Sequence, residues 1–198
     1  MKNLSNIAHE IDGQPMFKIL DLAQKLEREG KKILHFELGE PDFDTPSNIV
    51  DAACNAIKSG DTHYTSSMGL YDFRVVAQKT TLQSRGFLPT LEQVLVAPGA
   101  NSIIYFAIKC LVNPGEEVIV PDPTYFSAIK ACGAKAVTVK LKEENQFRLD
   151  PIDLENAITD KTRLNTPTGS VMLPDEIKQV AEISKKYDVY LLSDEIDF

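Results

Sequence analysis

The sequence predicts an α/β fold in which a mostly parallel sheet is covered by helices on both faces. From residue 93 onward, short and almost wholly apolar runs alternate with stretches of helical periodicity. That is the pattern of strands buried on both faces. The last such run, Val189-Tyr190-Leu191-Leu192, leads directly into Ser193-Asp194-Glu195. In parallel sheets ligands are handled just outside the carboxyl ends of the strands, so carboxylates at that point are candidate site residues.

The elements follow in order. Pro15 to Glu29 sets Met16, Ile19, Leu20, Ala23 and Leu26 on one helical face, with Gly30 as the stop. Ile33 to Leu38 reads as a short strand. Thr45-Pro46 reads as a cap followed by proline at the first helical position, opening a helix to about Ser59. A further helix is predicted from Leu70 to Ser84, a strand over Val94-Leu95-Val96 and a helix from Asn101 to Leu111. Strands are predicted over Glu117–Val120 and Ala136–Val139, separated by a helix from Tyr125 to Ala131. Asp150-Pro151 caps a helix to about Ile158, and Pro174 opens one to about Lys186. Between them the alternation demands a strand, yet only Arg163-Leu164-Asn165-Thr166-Pro167 is available, which makes it a stunted one. Residues 1–60 read as an N-terminal arm and small-domain segment, and 61–198 as the main domain.

Composition bounds the function. A chain of 198 residues with 43% hydrophobic and 25% charged content is ordinary for a globular protein, and a net charge of −8 argues against a nucleic-acid partner. Cys54, Cys110 and Cys132 are scattered in apolar helical stretches and are expected as buried, reduced thiols. His9, His35 and His63 show no metal-ligand spacing, so no metal is expected. Met1 to Asn6 has no apolar secretory core, and Ile103 to Ile108 is too short to span a bilayer; a cytoplasmic protein without membrane contact is expected.

Five places can carry chemistry. Gly39 ends an apolar run and opens the turn Glu40-Pro41-Asp42-Phe43, a tight backbone approach or simply a turn. Tyr64-Thr65-Ser66-Ser67-Met68-Gly69 is a polar loop ahead of a helix bearing Arg74. Pro98-Gly99-Ala100-Asn101 opens a helix whose first amides can hold a phosphate, or forms an ordinary strand-to-helix turn. It is neither a GxGxxG nor a Walker A loop. Asp122-Pro123-Thr124-Tyr125 sits after a strand, so the Tyr125 ring lies over a ligand or in the core. Asp194 can hold a protonated ring nitrogen or cap a strand end.

Together these pieces resemble the class I/II aminotransferases, the fold-type I enzymes that use pyridoxal 5′-phosphate. The resemblance runs from about Gln14 to Ile196. It rests on Gly39-Glu40-Pro41-Asp42-Phe43-Asp44-Thr45-Pro46, Tyr64-Thr65-Ser66-Ser67-Met68-Gly69-Leu70, Pro98-Gly99-Ala100-Asn101, Asn113-Pro114-Gly115-Glu116-Glu117-Val118, Asp122-Pro123-Thr124-Tyr125, Pro167-Thr168-Gly169 and Ser193-Asp194-Glu195-Ile196. It implies an incomplete three-layer αβα large domain that binds pyridoxal phosphate, preceded by a helical arm. It also implies that Gly39 approaches the substrate carboxylate and that Tyr64 reaches the cofactor phosphate of the neighbouring subunit in a homodimer. The amides of Ala100 and Asn101 are implied to hold the phosphate, Tyr125 to stack on the pyridine ring, Asn165 to contact the ring hydroxyl and Asp194 to pair with the ring nitrogen. The reaction implied moves the amino group of an amino acid to the cofactor and then to a 2-oxo acid.

The pattern also departs from the family's. Thr166 stands before Pro167-Thr168-Gly169 where the family has asparagine, with Asn165 one residue earlier. Asp197 stands where a tyrosine is usual. The family's Schiff-base lysine and its substrate-binding arginine fall beyond Phe198, so this chain alone is expected to be inactive. Lys178, Lys185 and Lys186 lie on a helix and offer no substitute. Val94 to Val96 is expected to lack sheet neighbours, making the chain less stable than a complete enzyme. The alternative is a truncated, non-catalytic paralogue serving as a dimerising or regulatory subunit, or a decayed gene fragment.

Overall fold

The computed structural model describes residues 3–39, 41–121, 125–166 and 172–194. In chain order its elements are α1 (Asn6–Glu10), α2 (Pro15–Arg28), α3 (Ser47–Lys58), α4 (Tyr71–Arg85), α5 (Ala100–Leu111), β1 (Glu117–Pro121), α6 (Phe126–Ala131), β2 (Lys135–Val139), α7 (Pro151–Ala157), β3 (Thr162–Asn165), α8 (Pro174–Lys186) and β4 (Tyr190–Leu191). They fall into two compact units, one formed by residues 1–37 with 99–198 and the other by 38–98.

The first unit is built on a parallel sheet in the order β2-β1-β3-β4. Alternation along β1 dictates its layers, because successive strand side chains point to opposite faces. Val118 and Val120 enter a cluster with Ile104 and Ile108 of α5, Ile129 of α6 and Leu164 of β3. Ile119 faces the other way, into a cluster with Leu154 of α7 and Val180 of α8. Helices therefore cover both faces, giving the expected three-layer α/β architecture. Asp150 caps α7 as expected, its carboxylate accepting from the Ile152 amide at 2.9 Å. At the amino end of the sheet, Glu117 is buried but satisfied by Lys135 Nζ at 3.0 Å and by the Thr159 hydroxyl at 2.6 Å. The Thr159 hydroxyl, followed by Lys135, holds the Glu117 carboxyl below its usual range.

The second unit contains α3, α4 and a 3₁₀ turn at Leu91–Gln93. The expected strand over Val94–Val96 does not form. Its backbone groups find other partners: the Val96 amide donates to Met68 O at 3.1 Å, and Val94 O accepts from Arg74 Nε at 3.0 Å. Arg74 also donates to Leu91 O, so this cation serves the backbone of its own unit. The Gly69 turn fits closely beneath Val96. Its φ is +95°, and a Cβ there would lie 2.5 Å from the Val96 Cβ.

Other expectations are corrected. Ile33–Leu38 is not a strand, because no ladder partner among the described residues pairs with it; His35 instead bridges Glu37 at 2.6 Å and Glu27 of α2 at 2.9 Å. On α2 only Ala23 is buried and Ile19 is exposed, since too little packs over the rest of that stripe. Cys132 is buried, but Cys54 and Cys110 are exposed on helix faces that no described element covers. The third helix begins at Ser47 with Pro46 at its cap, not Thr45, and α6 begins at Phe126 with Tyr125 at its cap. No helix among the described residues is long and apolar enough to cross a membrane.

Candidate active site

The carboxyl ends of β3 and β4 bring together a small set of polar groups. Hydrogen bonds extend the ladders past the formal strand ends: the Thr166 amide donates to Ile119 O at 3.0 Å, and the Leu192 amide to Asn165 O at 2.9 Å. Asn165 stands opposite Ile119 and Leu191 in register. Its side chain accordingly leaves the sheet on the α7/α8 side, whereas Thr166 continues the Leu164 side, which α5 and α6 cover. Both residues are buried, at 2% and 0% exposure. Among the described residues, neither amide atom of Asn165 nor the Thr166 hydroxyl has a hydrogen-bond partner. Buried polar groups normally find partners, and leaving one unmade costs about 1–3 kcal/mol. The two lie at one strand end on opposite faces of the sheet, each a polar group that a ligand seated past that end could satisfy.

Tyr125 and Asp194 meet on the α5/α6 side. Tyr125 precedes α6 in the left-handed region, φ 60° and ψ 9°, a sparsely populated conformation for a bulky residue. Its ring packs against the cluster that includes Leu164 and Leu192. Its hydroxyl donates to Asp194 Oδ2. Burial, and secondarily this bond to the carboxylate, push the phenol well above the usual tyrosine range. A strained backbone held at a strand end by a buried side-chain contact is a common feature of functional sites.

The opening of α5 supplies an anion-binding end. Gly99 caps the helix at φ 83° and ψ 156°, a conformation that suits glycine, with open space where a Cβ would sit. The first-turn amides of Ala100 and Asn101 have no preceding helical carbonyl to bond, and they sit at the positive end of the helix dipole. Asn101 is also tethered through its side-chain oxygen, which accepts from Gln14 Nε2 at 3.2 Å.

The remaining site residues belong to the other unit. Gly39 and Tyr64 belong to the unit of residues 38–98, and Tyr64 is fully exposed there. Glu40, Asp122, Pro123, Thr124, Pro167, Thr168, Gly169, Glu195, Ile196 and Asp197, on which parts of the sequence reading fell, lie outside the described residues. Thr166 was missed as a candidate polar group; its place directly before Pro167 was the available signal. An open cavity of about 370 Å³, lined by residues including Thr159, Arg163 and Tyr187, lies at the amino ends of β3 and β4, the opposite end of the strands.

Comparison with known proteins gives a consistent picture. Residues 31–196 match the family model for aminotransferase class I and II. The aspartate aminotransferase of Sulfolobus acidocaldarius is 38% identical, with 99% of this chain and 52% of that protein aligned. An arginine–pyruvate transaminase of Pseudomonas aeruginosa is 35% identical over 93% of this chain and 49% of its own length. Among solved structures, the aspartate aminotransferase from Thermus thermophilus with maleate superposes with a TM-score of 0.93 at 29% identity, covering 99% of this chain and 54% of that one. The chain thus spans about half the length of the relatives it matches.

Proposed function

Because this chain belongs to the class I and II aminotransferase family, we propose that it forms the cofactor-gripping part of an enzyme that moves an amino group from an amino acid to a 2-oxo acid. The cofactor proposed is pyridoxal 5′-phosphate, which when bound supplies an electron sink for the bonds around the amino-bearing carbon. The division proposed for the whole protein is an arm and small-domain segment in residues 1–60 and part of the large domain in 61–198.

The residues present suit that group. Asp194 offers a carboxylate for a protonated ring nitrogen, keeping the proton on the ring by charge. The Asn165 amide and the Thr166 hydroxyl, buried and without partners among the described residues, lie on opposite faces at the end of β3, where a ligand's polar atoms could satisfy them. Tyr125 presents an aromatic ring beside Asp194. The Ala100 and Asn101 amides face an anion without reorganisation. Gly39 is assigned to the substrate carboxylate, and the exposed Tyr64 to the phosphate in the other subunit of a homodimer.

The Tyr125–Asp194 hydrogen bond at the carboxyl ends of the strands supports this reading most strongly, together with Asn165 and Thr166 at the end of β3, buried and without partners among the described residues. Calorimetric titration with pyridoxamine 5′-phosphate tests it. This probe keeps the ring nitrogen and phosphate but has no aldehyde to react with surface lysines. We expect saturable one-site binding, weakened about 10–100-fold in Asp194→Asn by loss of a charge-assisted hydrogen bond. Absence of binding, or equal binding by the variant, refutes the assignment.

A further inference from the structure

We propose that Tyr125 acts as an internal ligand of Asp194: its phenol occupies carboxylate oxygen Oδ2 in the resting chain and must be displaced before a cationic ring can take that oxygen. The inference rests on the cofactor reading of Asp194 above.

Three observations carry it. The Tyr125 hydroxyl donates to the same carboxylate that is proposed to hold the ring nitrogen. A phenol bonded end-on to a carboxylate points its ring axis at Asp194, whereas a ring that stacks must lie flat over its partner. One Tyr125 side chain cannot adopt both poses. The backbone at Tyr125 is held at φ 60°, with the ring anchored among apolar neighbours, so the resting pose is built into the start of α6.

The consequence is selectivity. A neutral aromatic that offers no better donor than a phenol gains nothing by entering, because it exchanges one neutral donor for another. A protonated ring nitrogen makes a charge-assisted bond to the carboxylate, roughly twice as strong as a neutral one, and so wins the exchange. Tyr125 therefore sets a threshold that admits cationic nitrogen rings and turns away neutral aromatics of similar size. No covalent step is involved; one hydrogen bond to Asp194 is exchanged for another, and the displaced hydroxyl turns to solvent.

Tyr125→Phe removes the competitor but keeps the ring. Titration of the 198-residue chain and of this variant with pyridoxamine 5′-phosphate is expected to show the variant binding about tenfold tighter, the worth of one internal hydrogen bond to a charged acceptor. A merely structural role for the hydroxyl gives equal or weaker binding, and that result overturns the proposal. A second measurement needs no substitution in the protein that binds. With tyrosine labelled at ¹³Cζ and the Tyr125 line assigned by its absence from the variant, saturating probe is expected to move that line. A Tyr125 line unmoved at saturation also overturns displacement. If neither protein binds the probe, the cofactor reading fails and takes the proposal with it. Tight binding by the unsubstituted chain without a gain in the variant overturns the displacement alone.

Discussion

Replacing Asn165 by leucine should make the protein more stable and a poorer binder. The side chain is 2% exposed, and neither amide atom has a partner among the described residues. Leaving such a group unsatisfied costs about 1–3 kcal/mol. Leucine has the same branching, two methyls standing where the amide oxygen and nitrogen are. Its slightly larger volume returns up to about 1 kcal/mol through overpacking next to Ile119. The net expectation for Asn165→Leu is stabilisation by about 1 kcal/mol, a rise in Tm of about 2–4 °C. Thermal melts followed by circular dichroism read this directly, with Asn165→Ala as a control for cavity formation. In the same samples, pyridoxamine phosphate should bind about 3–10-fold more weakly, because the ligand loses a partner. Destabilisation by more than about 2 kcal/mol in both variants would mean that the amide is satisfied in the native protein. Asn165 would then be a satisfied structural residue and not part of a ligand site.

Further predictions concern the scaffold. Gly69→Ala places a Cβ 2.5 Å from that of Val96 at φ +95°; it should cost about 2–4 kcal/mol, visible as faster proteolysis within residues 38–98. Arg74→Ala removes the donors to Leu91 O and Val94 O and should cost about 1–3 kcal/mol by melting. His35, bonded to Glu37 and then Glu27, has its imidazole raised from 6.5 to about 9. Because the folded value lies above the unfolded one, its contribution to stability is complete below about pH 6.5 and disappears as pH rises through about 9. An NMR titration of the His35 ring should give a midpoint near 9 that falls toward 6.5 in Glu37→Gln; an unshifted midpoint in the native chain refutes the clasp.

What the sequence disclosed follows from where each signal resides. The strands β1, β2 and β4 and the helices α7 and α8 were legible because apolar runs and Asp-Pro or Pro starts are local signals. Ile33–Leu38 and Val94–Val96 carry equally apolar runs but are not strands, since strand status is decided by a partner; the Val94 and Val96 amides and the Val94 carbonyl bond within their own unit instead. The exposure of Ile19, Cys54 and Cys110 was hidden for the same reason: periodicity gives a face, not what covers it. At the site, Tyr125 and Asp194 were legible as strand-end residues. Their direct hydrogen bond was not, because it depends on a left-handed backbone at Tyr125 that no residue type there advertises. Thr166 was legible as the residue before Pro167, but its burial and its hydroxyl without a partner among the described residues were not.

Whether Asp194 holds a protonated ring nitrogen at the carboxyl end of β4 can be read by ¹⁵N NMR. Pyridoxamine phosphate labelled at the ring nitrogen should be bound at a pH where the free ring has lost its proton. The bound resonance should lie in the protonated range for the native chain and in the deprotonated range for Asp194→Asn. A deprotonated nitrogen in the native complex, or the same resonance in both proteins, would contradict this role for Asp194.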